Sequence, residues 1–305
     1  MRDNDEEEFL YSLGASVLLA GAVSAWKTTP AAQPETAKSE AAKSGVSKIT
    51  EVNSKISPSG PAVPAGASGK PNIPAVGEAL ETALPATALS YEAAYTDYVG
   101  DLYNELDLAG KGLQPEIFKK ALTGFYNLKA AGKLAPGKEV LSIVDFTKSS
   151  REKRLWIIDL DNKELLFRSL VAHGKKSGGN MASSFSNTES SHQSSLGFYL
   201  TGEVYYGKHG RSLRLDGMDP GFNSNARKRA IVLHGADYVS QAFINRVGRL
   251  GRSFGCPAVP EPLCDEIIDH IKEKTVLFIN GPGEKYKSDY LNVKAAARYL
   301  LPANG

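Results

Sequence analysis

Two cysteines and five histidines are present in the chain, and the segment GRLGRSFGCPAVP (Gly248 to Pro260) holds one of the cysteines. Cys256 stands between Gly255 and Pro257, in a stretch with neither helical nor strand periodicity, and follows Arg249 and Arg252. Upstream, AIVLHGA ends an apolar run on His234, with Gly235 next. A thiol is mostly protonated near neutral pH, and only the thiolate attacks a carbonyl well. A neighbouring imidazole accepts that proton, and an ion pair between the two lowers the thiol pKa. A tight turn through Ser253, Phe254, Gly255 and Cys256 can aim backbone N–H groups at a developing oxyanion. Gly255 permits a conformation that other residues resist, and Pro257 stiffens the exit. The pattern suits acyl transfer, with Cys256 as nucleophile, His234 as base, and Gly255 and Ser253 shaping the oxyanion turn.

Other readings of these residues stay open. In an oxidising compartment Cys256 and Cys264 could pair, although Cys264 falls just inside a predicted helix, where a small core residue fits. His173, His209, His234 and Asp237 could hold zinc, but neither HExxH nor a comparable spacing occurs. Papain-type peptidases place the cysteine before the histidine and at the start of a helix, the reverse of the order here. His192 lies in the Ser-rich SNTESSHQSS and is expected to be exposed; His270 sits at the basic end of the last predicted helix. A non-catalytic binding module is the remaining class, and it leaves Cys256 and His234 without a role.

The elements that must hold these residues are short runs rich in Val, Ile, Leu, Phe and Tyr from Val140 onward, separated by Gly, Asn, Asp or Ser clusters. DLDNKELLF reads as a hairpin turning at Asp161-Asn162. Helices are expected over Glu261 to Lys274 and, more weakly, Asp237 to Val247. Most strands follow one another without helices between them, so the expected fold is mainly β (α+β), an antiparallel sandwich-like domain with appended helices. Ahead of it, Tyr91, Tyr95, Val99, Leu102 and Leu106 form one helical stripe. Phe118, Leu122 and Phe125 form another behind Pro115, a favourable first helical residue. These make a helical prelude that docks on the strands.

Phe9 to Trp26 is an uncharged apolar run ending in Val-Ser-Ala ahead of the tryptophan. It reads as a signal peptide or membrane anchor, even though the residues before it are acidic. An Ala/Pro/Ser-rich stretch follows that cannot bury enough surface to offset its ordering entropy. The expected division is therefore 1–26 export segment or anchor, 27–89 flexible linker, 90–138 helical prelude, 139–281 catalytic domain and 282–305 C-terminal tail. A formal net charge of +2 over 305 residues carries no nucleic-acid footprint.

The run AIVLHGADYV…GRLGRSFGCPAVP resembles the signature of the YkuD-type L,D-transpeptidases, in which a strand ends in His-Gly and Ser-x-Gly-Cys follows a variable insert. The resemblance spans about Val140 to Asn280; VAHGKKSG and YYGKHGRSLRLDG are similar to earlier segments of the murein L,D-transpeptidase catalytic domain branch. Many members carry His before the Gly-Cys pair, where this chain has Phe254. Many also carry Arg or Asn two places after the cysteine, where it has Ala258. The resemblance implies a cell-envelope enzyme acting on peptidoglycan stem peptides, without metal or organic cofactor. Such an enzyme would be monomeric and would meet the membrane only through its N-terminal segment. It also implies a substrate-binding role for Arg252 and Arg249, which must replace the missing contact at Ala258, and for His209 and His173. The implied reaction is 3→3 cross-linking, or L,D-carboxypeptidase cleavage on the same scaffold.

Overall fold

The computed structural model describes residues 86–301 apart from residue 284. The expected export segment and nearly all of the expected linker lie outside the described residues. The elements in chain order are helices α1 (Ala86–Glu105) and α2 (Pro115–Ala130), then strands β1 (Val140–Asp145), β2 (Leu155–Asp159), β3 (Glu164–Ser169), β4 (Gly197–Gly207), β5 (Gly210–Gly217) and β6 (Val232–Ala236). Helix α3 (Gln241–Val247), strand β7 (Ala258–Pro260), helix α4 (Glu261–Ile271), strand β8 (Val276–Asn280), a single 3-10 turn (Asp289–Leu291) and helix α5 (Val293–Leu300) complete the set.

The eight strands form one mixed sheet in the order β3-β2-β1-β8-β4-β5-β6-β7. Five of its pairings are antiparallel, in keeping with the mainly β, α+β reading. Two pairings, β1 with β8 and β6 with β7, are parallel. The second carries helix α3 in its crossover, which short-range strand patterns do not announce. Beyond β3 the chain returns to the opposite edge, where Ala172 bridges Ala258 and Gly174 bridges Ser253, so the sheet nearly closes on itself.

Hydrophobic clusters cover both faces. On one, Tyr95, Phe118, Leu122 and Phe125 of α1 and α2 pack against Leu141, Ile143, Trp156, Phe198 and Phe278 of the sheet. On the other, Ile267, Ile268 and Ile271 of α4 pack with Ile157, Tyr199, Leu233 and Leu277. Strands covered on both faces read as apolar runs without alternation, as β1 and β8 do. Truncating a fully buried ring such as Phe118 costs about 3–5 kcal/mol.

Local chemistry sets the boundaries. Pro115 opens α2, and the Ser240 hydroxyl accepts from the Phe243 amide while Gly248 ends α3 in the left-handed region. Helix α3 thus starts at Gln241 rather than Asp237. In the β2–β3 turn the Asp159 carboxylate accepts from the amides of Asp161 and Asn162, as the hairpin reading expected. Within the expected tail, α5 buries Ala296 and Ala297 in the same core as α1 and α2. The run Ala295 to Ala297 hid that helix, because alanines carry little hydrophobic signal. No helix among the described residues is long and apolar enough to cross a membrane.

Candidate active site

His234 lies in β6 and pairs in parallel register with Ala258 of β7. That register places Cys256 two residues before the strand neighbour of His234. Both side chains line one cavity of about 460 Å³, together with Tyr205, Lys208, His209, Arg229, Tyr238, Arg252, Ser253 and Phe254. The parallel β6–β7 pairing is therefore what brings the histidine and the thiol to one place.

The turn that carries the thiol is held from every side. Ser253 N–H donates to the His173 carbonyl and Lys175 N–H to the Ser253 carbonyl. The Ser253 hydroxyl donates to the Cys256 carbonyl at 2.6 Å and accepts the Gly255 N–H at 3.0 Å. Ser194 Oγ donates to the Gly255 carbonyl. Gly255 has φ +128°, and a Cβ there would lie 2.7 Å from the Gln193 carbonyl oxygen, so both backbone and space require glycine. The Gly255 N–H, expected to face an oxyanion, is instead spent on Ser253. Gly255 and Ser253 build the turn, and the Cys256 thiol it carries donates to the Ala230 carbonyl.

His234 is buried, and its Nδ1–H donates to the Gly235 carbonyl at 2.9 Å. In the neutral ring that bond leaves Nε2 as the basic nitrogen. His209, at the tip of the β4–β5 hairpin, stacks on His234 with ring centroids 4.4 Å apart and 21° between planes. Burial pushes the His234 pKa down, the Gly235 carbonyl partly opposes this, and His209 and Lys208 push it further down. Cys256 is half-buried and free. Burial pushes its thiol up, against the smaller opposing pull of the Val232 amide, Arg229, its own amide and Lys208. Both shifts favour the neutral forms, and the thiol donates to the Ala230 carbonyl at 3.8 Å.

The remaining expected residues divide. His209 and Arg252 line the cavity, although Arg252 Nη1 is also anchored on the carbonyls of Lys175 and Gly178. Arg249 does not line it; it borders a neighbouring depression with Lys175, Asp237, Tyr238 and Arg252. His173 is fully buried, which corrects its assignment to substrate binding. Its Nδ1 accepts from Arg154 Nη2 at 2.8 Å, and its ring meets Phe146 edge to face. An apolar run had hidden that it points inward. His192 is half-buried rather than exposed, and its ring lies 4.5 Å from that of Phe254.

The zinc and disulfide readings lose their geometry. His173 lies in the core, and among the described residues no three ligating side chains converge. Cys264 is buried in α4, where Gly235 lets the helix approach closely, and it too is free.

Sequence reasoning missed Arg229. Its guanidinium donates to the carbonyls of Ser186 and Gln193 and to the hydroxyls of Ser191 and Ser195. This ties the 186–195 loop to the cavity and leaves a positive charge beside the thiol. The cluster Arg227-Lys228-Arg229 was the available signal. Only the structure separates its members, pairing Arg227 with Asp216 and Glu203 and Lys228 with Glu189.

A family model described as "L,D-transpeptidase catalytic domain" matches residues 109–280, more than half of the chain. The match begins well before Val140 and takes in α2 as well as the strands. No curated protein matches in sequence. Among solved structures, an L,D-transpeptidase from Mycobacterium smegmatis is similar at 14% identity over 47% of this chain and 59% of that one, with TM-score 0.29. The helical cell shape determining protein of Campylobacter jejuni is similar at 14% identity, over 60% and 62%, with TM-score 0.34. An L,D-transpeptidase from Xylanimonas cellulosilytica is similar at 11% identity, over 53% and 79%, with TM-score 0.28. The chain thus covers less than two thirds of the first two structures.

Proposed function

This chain belongs to the L,D-transpeptidase catalytic domain family, and we propose that it is a cysteine acyltransferase of the cell envelope acting on peptidoglycan stem peptides. The observation that carries this reading is the shared cavity of Cys256 and His234, with His234 Nδ1 committed to the Gly235 carbonyl. His234 Nε2 takes the thiol proton as the sulfur attacks the carbonyl of the third stem residue, an L-centre diamino acid. Burial favours the neutral form of both groups, so proton transfer accompanies attack. The Cys256 N–H, close to the sulfur, serves the oxyanion, and the nearby Arg229 charge adds to it.

Collapse of the tetrahedral intermediate breaks the C–N bond, and His234 returns its proton to the departing D-alanine amine. A thioester on Cys256 remains. The side-chain amine of a second stem then attacks it; His234 accepts the amine proton and returns it to the leaving sulfur, giving a 3→3 cross-link. Water attacking the same thioester gives the L,D-carboxypeptidase outcome. Arg252, Arg249 and Lys175, grouped in the depression beside the cavity, suit a carboxylate of the stem peptide and stand in for the contact that Ala258 lacks. We place the enzyme on the wall-facing side of the membrane, working as a monomer and needing no metal.

Intact mass after incubation with a sugar-free tetrapeptide, with or without an amine acceptor, tests this. A thioester adduct on Cys256 that is passed to the amine is the expected result. Binding without any adduct would leave a non-catalytic wall-binding module, and hydrolysis despite excess acceptor would make the enzyme a carboxypeptidase.

A further inference from the structure

A second cavity, of about 630 Å³, exceeds the one that holds Cys256. Phe185, Phe222 and Tyr286 line it, with Ser186, Asn187 and Lys285. The aromatic wall is held by side-chain contacts. Tyr286 donates its hydroxyl to the buried Asp219, which also accepts from Ser288 and from the Phe198 amide. Phe222 meets Tyr286 edge to face at 5.1 Å, and Phe185 stacks on Phe146. The polar wall is tied down as well, since Asn187 bonds to both the amide and the side chain of Asn225 and to Ser224.

The cavity adjoins the catalytic one through a single loop. Ser186 lines the larger cavity, and its carbonyl accepts from Arg229, which lines the Cys256 cavity. A polymer reaching both places needs a part for each. Among the described residues lining the larger cavity Lys285 is the one charged side chain, and aromatic rings and small polar groups make up most of the rest. Fixed ring faces attract the polarised C–H groups of a pyranose, and serine hydroxyls with an amide meet its hydroxyl and acetamido groups.

We propose that this cavity is a saccharide subsite that holds the N-acetylated glycan strand while the attached stem peptide enters the Cys256 cavity. The proposal rests on the peptidoglycan reading for its choice of polymer. Its site is separate, so the two can fail independently.

The test uses the full chain and an N-acetylglucosamine tetrasaccharide as probe, with binding read by calorimetry. Wild-type protein should bind saturably, Cys256→Ala should bind equally well, and Phe222→Ala should bind roughly tenfold more weakly, the scale expected for removing one aromatic face. Phe222→Tyr should restore binding, which separates a missing ring from a disturbed fold. With turnover as the readout, Phe222→Ala should raise KM for a disaccharide-tetrapeptide and leave KM for the sugar-free tetrapeptide unchanged. The proposal is overturned if wild-type binds no tetrasaccharide. It is also overturned if Phe222→Ala binds as wild-type does, or if sugar-free tetrapeptide displaces the saccharide. Saccharide binding with no acylation by sugar-free tetrapeptide would sink the enzyme reading and leave the subsite standing.

Discussion

His173 and His234 are both buried, and burial drives both pKa values down. Yet His234 lines a cavity beside a thiol, whereas His173 is sealed against Arg154 and Phe146. His173 reaches the cysteine turn only through its backbone carbonyl, which accepts from Ser253. Its side chain serves a buried guanidinium that also donates to the carbonyls of Val171 and Lys148. A depressed histidine pKa thus marks burial, and access to a reactive partner is what separates a candidate base from a core residue.

The sharpest way to break this comparison is at the thiols, which differ in the same manner. Cys256→Ala should abolish the acyl-enzyme altogether in intact-mass measurements. Cys264→Ala should keep it and lose about 1 kcal/mol of stability, because that sulfur is core packing. Equal loss of activity in both variants, under reducing conditions, would erase the distinction drawn between them.

His234→Ala should lower the acylation rate by about 10²- to 10⁴-fold, the usual worth of a positioned general base. The burial of both groups makes a second, independent demand. Alkylation of Cys256 in the wild-type protein should be slow at pH 6 and climb into the alkaline range. A rate that stays high at pH 6 would restore the ion pair and contradict the burial argument.

His173 should speak through stability. Its pKa is pushed from the ordinary 6.5 to about 4, by burial first and by Arg154 second. The unfolded chain therefore takes up this proton more readily than the folded one. The stability it contributes is complete above pH 6.5 and is lost as pH falls from 6.5 towards 4, roughly 3 kcal/mol in all. Denaturant titrations at pH 7 and pH 4.5 should register that loss, and a glutamine at position 173 should flatten it. His234 contributes in the same direction, so the double variant His173→Gln with His234→Gln should be flatter still.

The smallest effects belong to the arginines beside the cavity. Arg252→Ala and Arg249→Ala should raise KM for the tetrapeptide by roughly three- to tenfold, with kcat little changed, as expected for weakened binding through a half-buried charge at the rim of the site. Equal effects on an amidated peptide would show that they do not meet a carboxylate.

What the sequence determined alone was local. Gly255, Cys256 and Pro257 announce a strained turn through their own backbone preferences, and His234-Gly235 at the end of an apolar run announces a strand end. The two core helices α1 and α2 and the Asp161-Asn162 hairpin were legible because each rests on contacts between near neighbours in the chain. The tertiary structure decided how the charged and polar groups come to share space. The β6–β7 register puts Cys256 and His234 on one cavity, the return past β3 seals His173 under the Ser253 turn, and the 186–195 loop holds Arg229 at that cavity. Those outcomes depend on strand register and on long-range desolvation, which one-dimensional patterns of residue type do not encode.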